Sequence, residues 1–356
     1  MQRTFVGILL NASVYRSLPK GNTGQEYLPN YEKAAAAYGL TPCYLQLEGL
    51  DAVPGYSKAY IRDGQGYTQT FIPTPQAVHN RAIYVPSVRR PEQLARSGLL
   101  LFNLRNRYGK DVIHRLLAED PGLAPHLPDS AWTPSGVRAL MERYDDLILK
   151  PCFGSVGHGL IRLRKREGRW FGVSSRSGTP FPFRPPHGQD GSFVRNGFRY
   201  LAQARVPLAS ALDGRPFDLR LTVQRGWGGE WRVTGHFAKL APPSGFVTNI
   251  ARGGAAVKVE EALASAFPGR QAAEVRMRAE ELGLEVARAL SRRLPGLADL
   301  GLDLAAASDG RLYFIECNGR DQRYGLLRAG LRTQWEESYR RPMAYARYLL
   351  ENGAGL

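Results

Sequence analysis

The chain has 356 residues, 43% hydrophobic and 22% charged, a balance that excludes a disordered chain and leaves room for roughly two or three domains. Its formal net charge of +16 comes from 8 Lys and 40 Arg against 32 acidic residues, so a lone arginine carries little information and a retained lysine carries more. Three isolated cysteines, Cys43, Cys152 and Cys317, lack any C-x-x-C spacing, which excludes a disulfide framework or structural zinc and points to a reducing cytoplasm.

The apolar run Phe5 to Leu10 is too short for a membrane span and has no cleavage-type residues after it, so it predicts a strand. A helix follows over about Gln25 to Tyr38 with Gly39 as its stop, and Pro42 to Leu47 suits a buried parallel strand, giving a βαβ unit. Further strands are predicted at Tyr67–Ile72 and Ala82–Val85, with a domain boundary near 88–95. Lys110 to Ala118 reads as a helix, and Thr133-Pro134 opens another with Thr as N-cap. Leu147–Pro151 and Leu160–Leu163 are strands around a glycine loop, and the basic run Arg162 to Arg166 is a strand with one solvated face. The segment 174–197, rich in Gly, Pro and Ser, predicts a mobile surface excursion. Strands at Phe217–Val223 and Trp231–Ala238, a helix at Ala272–Arg293, strands at Gly301–Ala305 and Leu312–Glu316, and a helical tail complete the chain.

Three constellations carry chemistry. The loop Lys150-Pro151-Cys152-Phe153-Gly154-Ser155-Val156-Gly157-His158-Gly159 leads from strand to strand, so it is neither a Walker A nor a dinucleotide loop. Its glycines suit backbone amides brought against phosphate oxygens; an ordinary glycine-rich hairpin is the alternative, and His158 reads as solvent-facing. In Glu316-Cys317-Asn318 the period of two puts Glu316 and Asn318 on one face, and pairing through the Asp309-Gly310 turn lets Asp303 join them. Two carboxylates and an amide oxygen suit Mg²⁺, with Mn²⁺ as a substitute; a solvated hairpin end is the alternative. Arg220 in Phe217-Asp218-Leu219-Arg220 offers a planar fork, and Asn249 and Arg252 precede Gly253-Gly254 where an anion can approach bare backbone.

The order of these motifs (lysine and glycine hairpin, D-L-R, T-N-x-x-R-G-G, then D…E-x-N) resembles the ATP-grasp superfamily. The stretch Phe246 to Ala256 is similar to RimK-type glutamate ligases. The opening Val6-Gly7-Ile8-Leu9, the stretch Pro75 to Ile83 with Asn80-Arg81, and Leu127-Pro128-Asp129-Ser130 resemble the YheC/YheD-type endospore coat-associated ATP-grasp proteins. The resemblance runs from residue 5 to about 325. It implies an α/β fold: an N-terminal βαβ pre-ATP-grasp domain (1–90), a helical linker (91–145), a small ATP-binding lobe with the glycine hairpin (146–205) and a C-terminal lobe with the metal site (206–350). It further implies that Lys110, Lys150 and Lys239, the hairpin residues Gly154, Ser155, Gly157 and Gly159, and Gln203 beside adenine hold ATP. Asp303, Glu316 and Asn318 would hold Mg²⁺, and Arg220, Asn249 and Arg252 would serve catalysis. Two departures stand out: Lys239 occupies a place where many relatives carry arginine, and Gly319-Arg320-Asp321-Gln322 replaces the Pro-containing turn after E-x-N.

The implied activity is ATP-dependent ligation of a carboxylate to an amine through an acyl phosphate, such as addition of glutamate to a peptide or spore-coat protein. A coat-associated nucleotide-binding scaffold without turnover is the competing reading. Scattered arginines without interleaved aromatics argue against nucleic acid, and nothing in the sequence suits a membrane partner. The arginines falling near the site by motif, Arg220, Arg252, Arg320 and Arg323, lead to the expectation of an anionic acceptor whose turnover weakens with salt.

Overall fold

The computed structural model describes residues 3–353 apart from 65, 84–88, 155, 156, 212, 244 and 246. The first sheet begins with β1 (Phe5–Leu9), which is buried along its length from Val6 to Leu9 and pairs in parallel with β2 (Thr41–Leu45). A short α1 (Ala12–Ser17) and then α2 (Leu28–Ala36) make the crossover, and Gly39, with φ of 64°, ends the turn after α2 as its lack of a Cβ permits. An antiparallel hairpin, β3 (Tyr56–Asp63) and β4 (Gly66–Pro73), extends the sheet beyond β2. On the other side β1 pairs with β5 (Ala77–Asn80), and β5 pairs with β6 (Leu100–Phe102) after α3 (Arg89–Arg96). The strand predicted at Ala82–Val85 is therefore replaced by β5. Residues 82 and 83 are not in a strand, and 84 and 85 lie outside the described residues. The first sheet also continues through β6, past the boundary at 88–95.

The second sheet follows α4 (Lys110–Ala118) and contains β7 (Ser130–Ala131), β8 (Asp146–Pro151), β9 (Ile161–Arg166), β10 (Arg169–Ser174), β11 (Pro180–Pro182), β12 (Val194–Arg195) and β13 (Phe198–Ala204). Against it packs α5 (Pro134–Arg143), whose Thr133 hydroxyl accepts the amide of Gly136 at 3.1 Å, a cap worth about 1 kcal/mol. The sequence-based expectation of a mobile excursion at 174–197 is corrected here. Phe183 and Phe193 are buried in the core of this lobe, and Arg138 donates to the carbonyls of Pro186 and Gly188.

The third sheet comprises β14 (Phe217–Arg225), β15 (Trp231–Leu240), β16 (Ala255–Val257), β17 (Asp299–Ala306) and β18 (Leu312–Asn318), in the order β16-β15-β14-β17-β18. One face is covered by α6 (Val259–Ala266) and the long α7 (Arg270–Arg293), whose Val275, Leu282, Val286 and Leu290 fall at helical spacing into the core. After α8 (Tyr324–Arg328), α9 (Arg332–Asn352) runs across both the third sheet and the first. Its Trp335, Tyr339 and Met343 share one core with Val6, Ile8 and Phe102 of the first sheet and Phe237 of β15. No helix among the described residues is long and apolar enough to cross a membrane.

A buried ionic network joins the first sheet to the third. Arg81, just after β5, reaches Glu26 at 2.9 Å and Asp299 of β17 at 3.4 Å, and its guanidinium donates to the Asp321 carbonyl at 2.7 Å. Arg323 closes the network on Asp299 at 2.6 Å and on the Tyr31 hydroxyl at 2.8 Å. His79 lies 3.2 Å from the same carboxylate, but burial pushes its imidazole down to about 4, so it enters as a neutral ring.

Candidate active site

The second and third sheets face each other across a cleft. From the second, β8 delivers Lys150, which is buried and donates to Gln203 Oε1 on the neighbouring β13 at 2.6 Å. Gln203 in turn donates to Ser130 Oγ at 3.0 Å, so the amide is oriented with its oxygen toward the lysine. Burial pushes the Lys150 ammonium down to about 8, partly offset by the charge of Glu316 and reinforced by that of Lys110. Lys110, the first residue of α4, spans the cleft: its Nζ donates to the Gly154 carbonyl at 3.2 Å and lies 3.3 Å from Glu316 Oε1. In the hairpin between β8 and β9, Gly157 and Gly159 adopt φ of 64° and 74°. A Cβ on Gly159 would sit 2.8 Å from the Pro151 ring, so glycine is required twice over there. Ser155 lies outside the described residues.

The opposite wall is set by strand register. Arg220 of β14 pairs with Asp303 of β17, Asp303 pairs with Glu316 of β18, and Gly301 pairs with Asn318. Asp303, Glu316 and Asn318 therefore come to one cleft wall, as the period of two predicted. Arg220 grips Asp303 with two bonds, Nε at 2.7 Å and Nη2 at 3.2 Å, and donates a third to Asp321 at 2.9 Å. Lys239 of β15 sits between Asp303 at 2.9 Å and Asp218 at 3.2 Å. Burial works against the charge of Asp303, but Arg220 and Lys239 outweigh it and hold the carboxyl well below its ordinary range. Asp218 goes the other way: burial pushes it up and Lys239 only partly compensates.

The donor set fits a hard divalent cation. It offers two carboxylates and an amide oxygen, with Asp303 held ionised; phosphate oxygens and water would complete the shell. Among the described residues no cluster of three His, Cys, Asp or Glu could hold a metal, so a cation here would also have to draw on Asn318 and on oxygens of a ligand. Asp303 must also share its oxygens with Arg220 and Lys239.

The T-N segment forms the rim. The Thr248 hydroxyl donates to Asp218, and Asn249 faces the cleft while its Oδ1 accepts the amide of Ala251 at 2.8 Å to cap a single turn. Phe246 lies outside the described residues. Arg252 clasps the hairpin: it donates to the Ser175 carbonyl at 3.0 Å and lies 3.2 Å from Nδ1 of the exposed His158.

Sequence reasoning did not single out the apolar slot beside Lys150 and Gln203, lined by Ile148, Leu160, Val206, Leu208 and Ile315, which suits a flat heterocycle. Their apolar character alone marks them as ordinary core. It also missed Asp218 and Asp321, although Asp218 stands in the D-L-R motif and Asp321 five residues after Glu316.

A family model described as YheC/D-like ATP-grasp matches residues 98–349. The chain is 24% identical over 309 residues to the endospore coat-associated protein YheD of Bacillus subtilis (strain 168), covering 80% of this chain. It spans 65% of that relative's length, just under two thirds. Among solved structures, it is similar to N5-carboxyaminoimidazole ribonucleotide synthetase from Thermotoga maritima (TM-score 0.52, 11% identity, 96% of this chain and 76% of that one). It is also similar to the ATP-grasp ligase PsnB complexed with minimal precursor (TM-score 0.50, 14% identity, 95% and 98%). At these identities the likeness concerns the fold.

Proposed function

The chain belongs to the YheC/D-like ATP-grasp family, and from that premise we propose that it is a Mg²⁺-dependent, ATP-consuming carboxylate–amine ligase. The observation that carries this reading is the meeting of Lys110, Lys150 and the glycine hairpin with Arg220, Asp303, Glu316 and Asn318 across one cleft. In this reading the apolar slot beside Gln203 takes adenine, and the two lysines and the hairpin amides take the phosphates. Asp303, Glu316 and Asn318 hold Mg²⁺, with Mn²⁺ as a substitute. The cation, when bound, neutralises charge on the β- and γ-phosphates. Arg220, fixed from both sides by Asp303 and Asp321, presents its fork to the group in transfer.

The γ-phosphoryl passes to a carboxylate oxygen of the substrate, releasing ADP. An amine then attacks the acyl carbon, expels phosphate and loses a proton, leaving an amide. This chemistry needs positioning and charge rather than a protein nucleophile, in keeping with a cleft of lysines, arginine and carboxylates. Lys239 is assigned to orienting Asp303, and Arg252 to closing the rim over the hairpin. Asn249 is assigned to the rim contact with substrate.

The name of YheD, an endospore coat-associated protein, supports an acceptor among spore-coat proteins, and the precursor-bound PsnB supports a peptide substrate; action in the cytoplasm beside a developing coat belongs to the same proposal. A nucleotide-binding scaffold without turnover is favoured by one observation, the double engagement of Asp303 by Arg220 and Lys239. ADP release from Mg-ATP across a panel of amino acids and peptides separates the two. Release stimulated by an acceptor, with stoichiometric amide formed, supports the ligase. Nucleotide binding with no release under any acceptor refutes it.

A further inference from the structure

The network between the first and third sheets does not balance its charge. It contains two buried carboxylates, Glu26 and Asp299, and three guanidinium groups, those of Arg81, Arg320 and Arg323. Asp299 is spent on Arg323 at 2.6 Å and Arg81 at 3.4 Å. The Glu26 oxygen nearest Arg320 already accepts two bonds from Arg81, at 2.9 and 3.1 Å, and Arg320 reaches it only at 3.5 Å. The neighbouring Asp321 is committed to Arg220 and Thr222, and His79 is neutral. Arg320 Nε is buried with no acceptor, although Glu26 Oε2 is likewise buried without a donor, so Glu26 and Arg320 are only loosely matched. Among the described residues the one carboxylate in ion-pair range of Arg320 is that of Glu26, at 3.5 Å and shared with Arg81.

Arg320 is not sealed in the core. It lines the same cleft as Asp303 and Glu316, and so does Arg107, half-buried and without a carboxylate in ion-pair range among the described residues. The phosphates already have Lys110, Lys150 and the hairpin. A surplus of planar forks in one cleft alongside Asn106 and Tyr324 calls for a second anion, and a guanidinium fork matches a carboxylate.

We infer that Arg107 and Arg320 form a carboxylate-recognition subsite, so that the substrate entering beside ATP carries an acidic group in addition to the group that reacts. The substrate class is thereby an acidic amino acid or an acidic peptide segment. The inference rests on the ligase reading for the word substrate, but the subsite is testable by binding alone.

Calorimetry on the full chain with saturating Mg-ADP measures L-glutamate against L-glutamine, and L-glutamyl-L-glutamate against L-glutaminyl-L-glutamine. At least one acidic probe is expected to bind ten or more times more tightly than its neutral partner. Arg320→Gln and Arg107→Gln should each reduce that ratio to threefold or less, and the Arg107 variant, which breaks no ion pair among the described residues, serves if Arg320→Gln fails to fold. A ratio near one in the parent overturns the subsite, as does a ratio that survives both substitutions in folded protein. Loss of Mg-ATP affinity with the charge preference intact also overturns it, in favour of a phosphate contact. Absence of ADP release with every acceptor would instead refute the ligase reading and leave the measured charge preference standing.

Discussion

Replacing Lys150 by methionine removes one ammonium from the phosphate side of the cleft while keeping most of its apolar stem. Burial sets the lysine near 8, so its charge is present below that pH and lost above it. If only the protonated form binds Mg-ATP well, apparent Kd scales as one plus ten to the power of pH minus pKa. That factor is about 1.1 at pH 7 and about 11 at pH 9, a weakening of roughly tenfold or ~1.4 kcal/mol. The nucleotide does not supply this slope, because a phosphate with a second pKa near ~6 is already ionised over that range. Calorimetric titration of Mg-ATP at half-unit steps from pH 7 to 9 reads the effect directly. The parent should lose affinity as pH rises through 8. Lys150→Met should bind more weakly at pH 7 and show a flat profile. A parent with no pH dependence, or a variant with the parent's slope, would refute the placement of the phosphates against Lys150.

Glu316→Ala should abolish Mg²⁺-dependent ADP release while leaving the melting temperature close to the parent's, since the side chain is only partly buried and its ion partner is Lys110. Asp299→Ala should cost about 3–5 kcal/mol in urea denaturation, because it strands Arg323 and Arg81 without their shared carboxylate. Asp321→Asn frees one side of the Arg220 fork, so kcat should fall with Mg-ATP affinity held within twofold; equal losses in both would mean that Arg220 holds the ground state instead.

The grouping of residues on one wall of the candidate site was legible because it depends on local periodicity. Asp303, Glu316 and Asn318 sit on a hairpin closed by Asp309-Gly310, where the period of two fixes which side chains share a face. The cap at Thr133-Pro134 and the stripe on α7 were legible for the same reason. What escaped was set by distant partners. The strand β5 reads Ala-Val-His-Asn, and its polar half is tolerable inside the protein only because Asn80 donates to the Asn103 carbonyl and His79 faces Asp299. The strand β3, an alternation of exposed and buried residues in an outer hairpin, carries too little apolar content to announce itself. Segment 174–197 looked mobile by composition, yet Phe183 and Phe193 anchor it, and no local rule counts two phenylalanines against so many glycines and prolines. Arg323 was assigned to the active site by proximity in sequence, whereas Asp299 and Tyr31 claim it for the interior.

The sharing of one core by α9, the first sheet and Phe237, while the second sheet keeps a core of its own, divides the molecule mechanically into two bodies. The larger cannot flex between its two sheets without opening apolar and ionic contacts together, so it behaves as one stiff block. The smaller is joined to it through the chain on either side, at 119–129 and 205–216, through Lys110 of α4 on the Cys152 and Gly154 carbonyls, and through the clasp of Arg252 on the hairpin. In native-state hydrogen exchange, the amides of β8 and β9 should therefore open at lower free energy than those of β14 and β17. A ligand lying across both bodies acts as a strut, slowing exchange in the smaller one even where it touches nothing. In the ligase reading each turnover has to remove that strut, so the opening of the small body would set a ceiling on turnover that no improvement in the chemistry can raise.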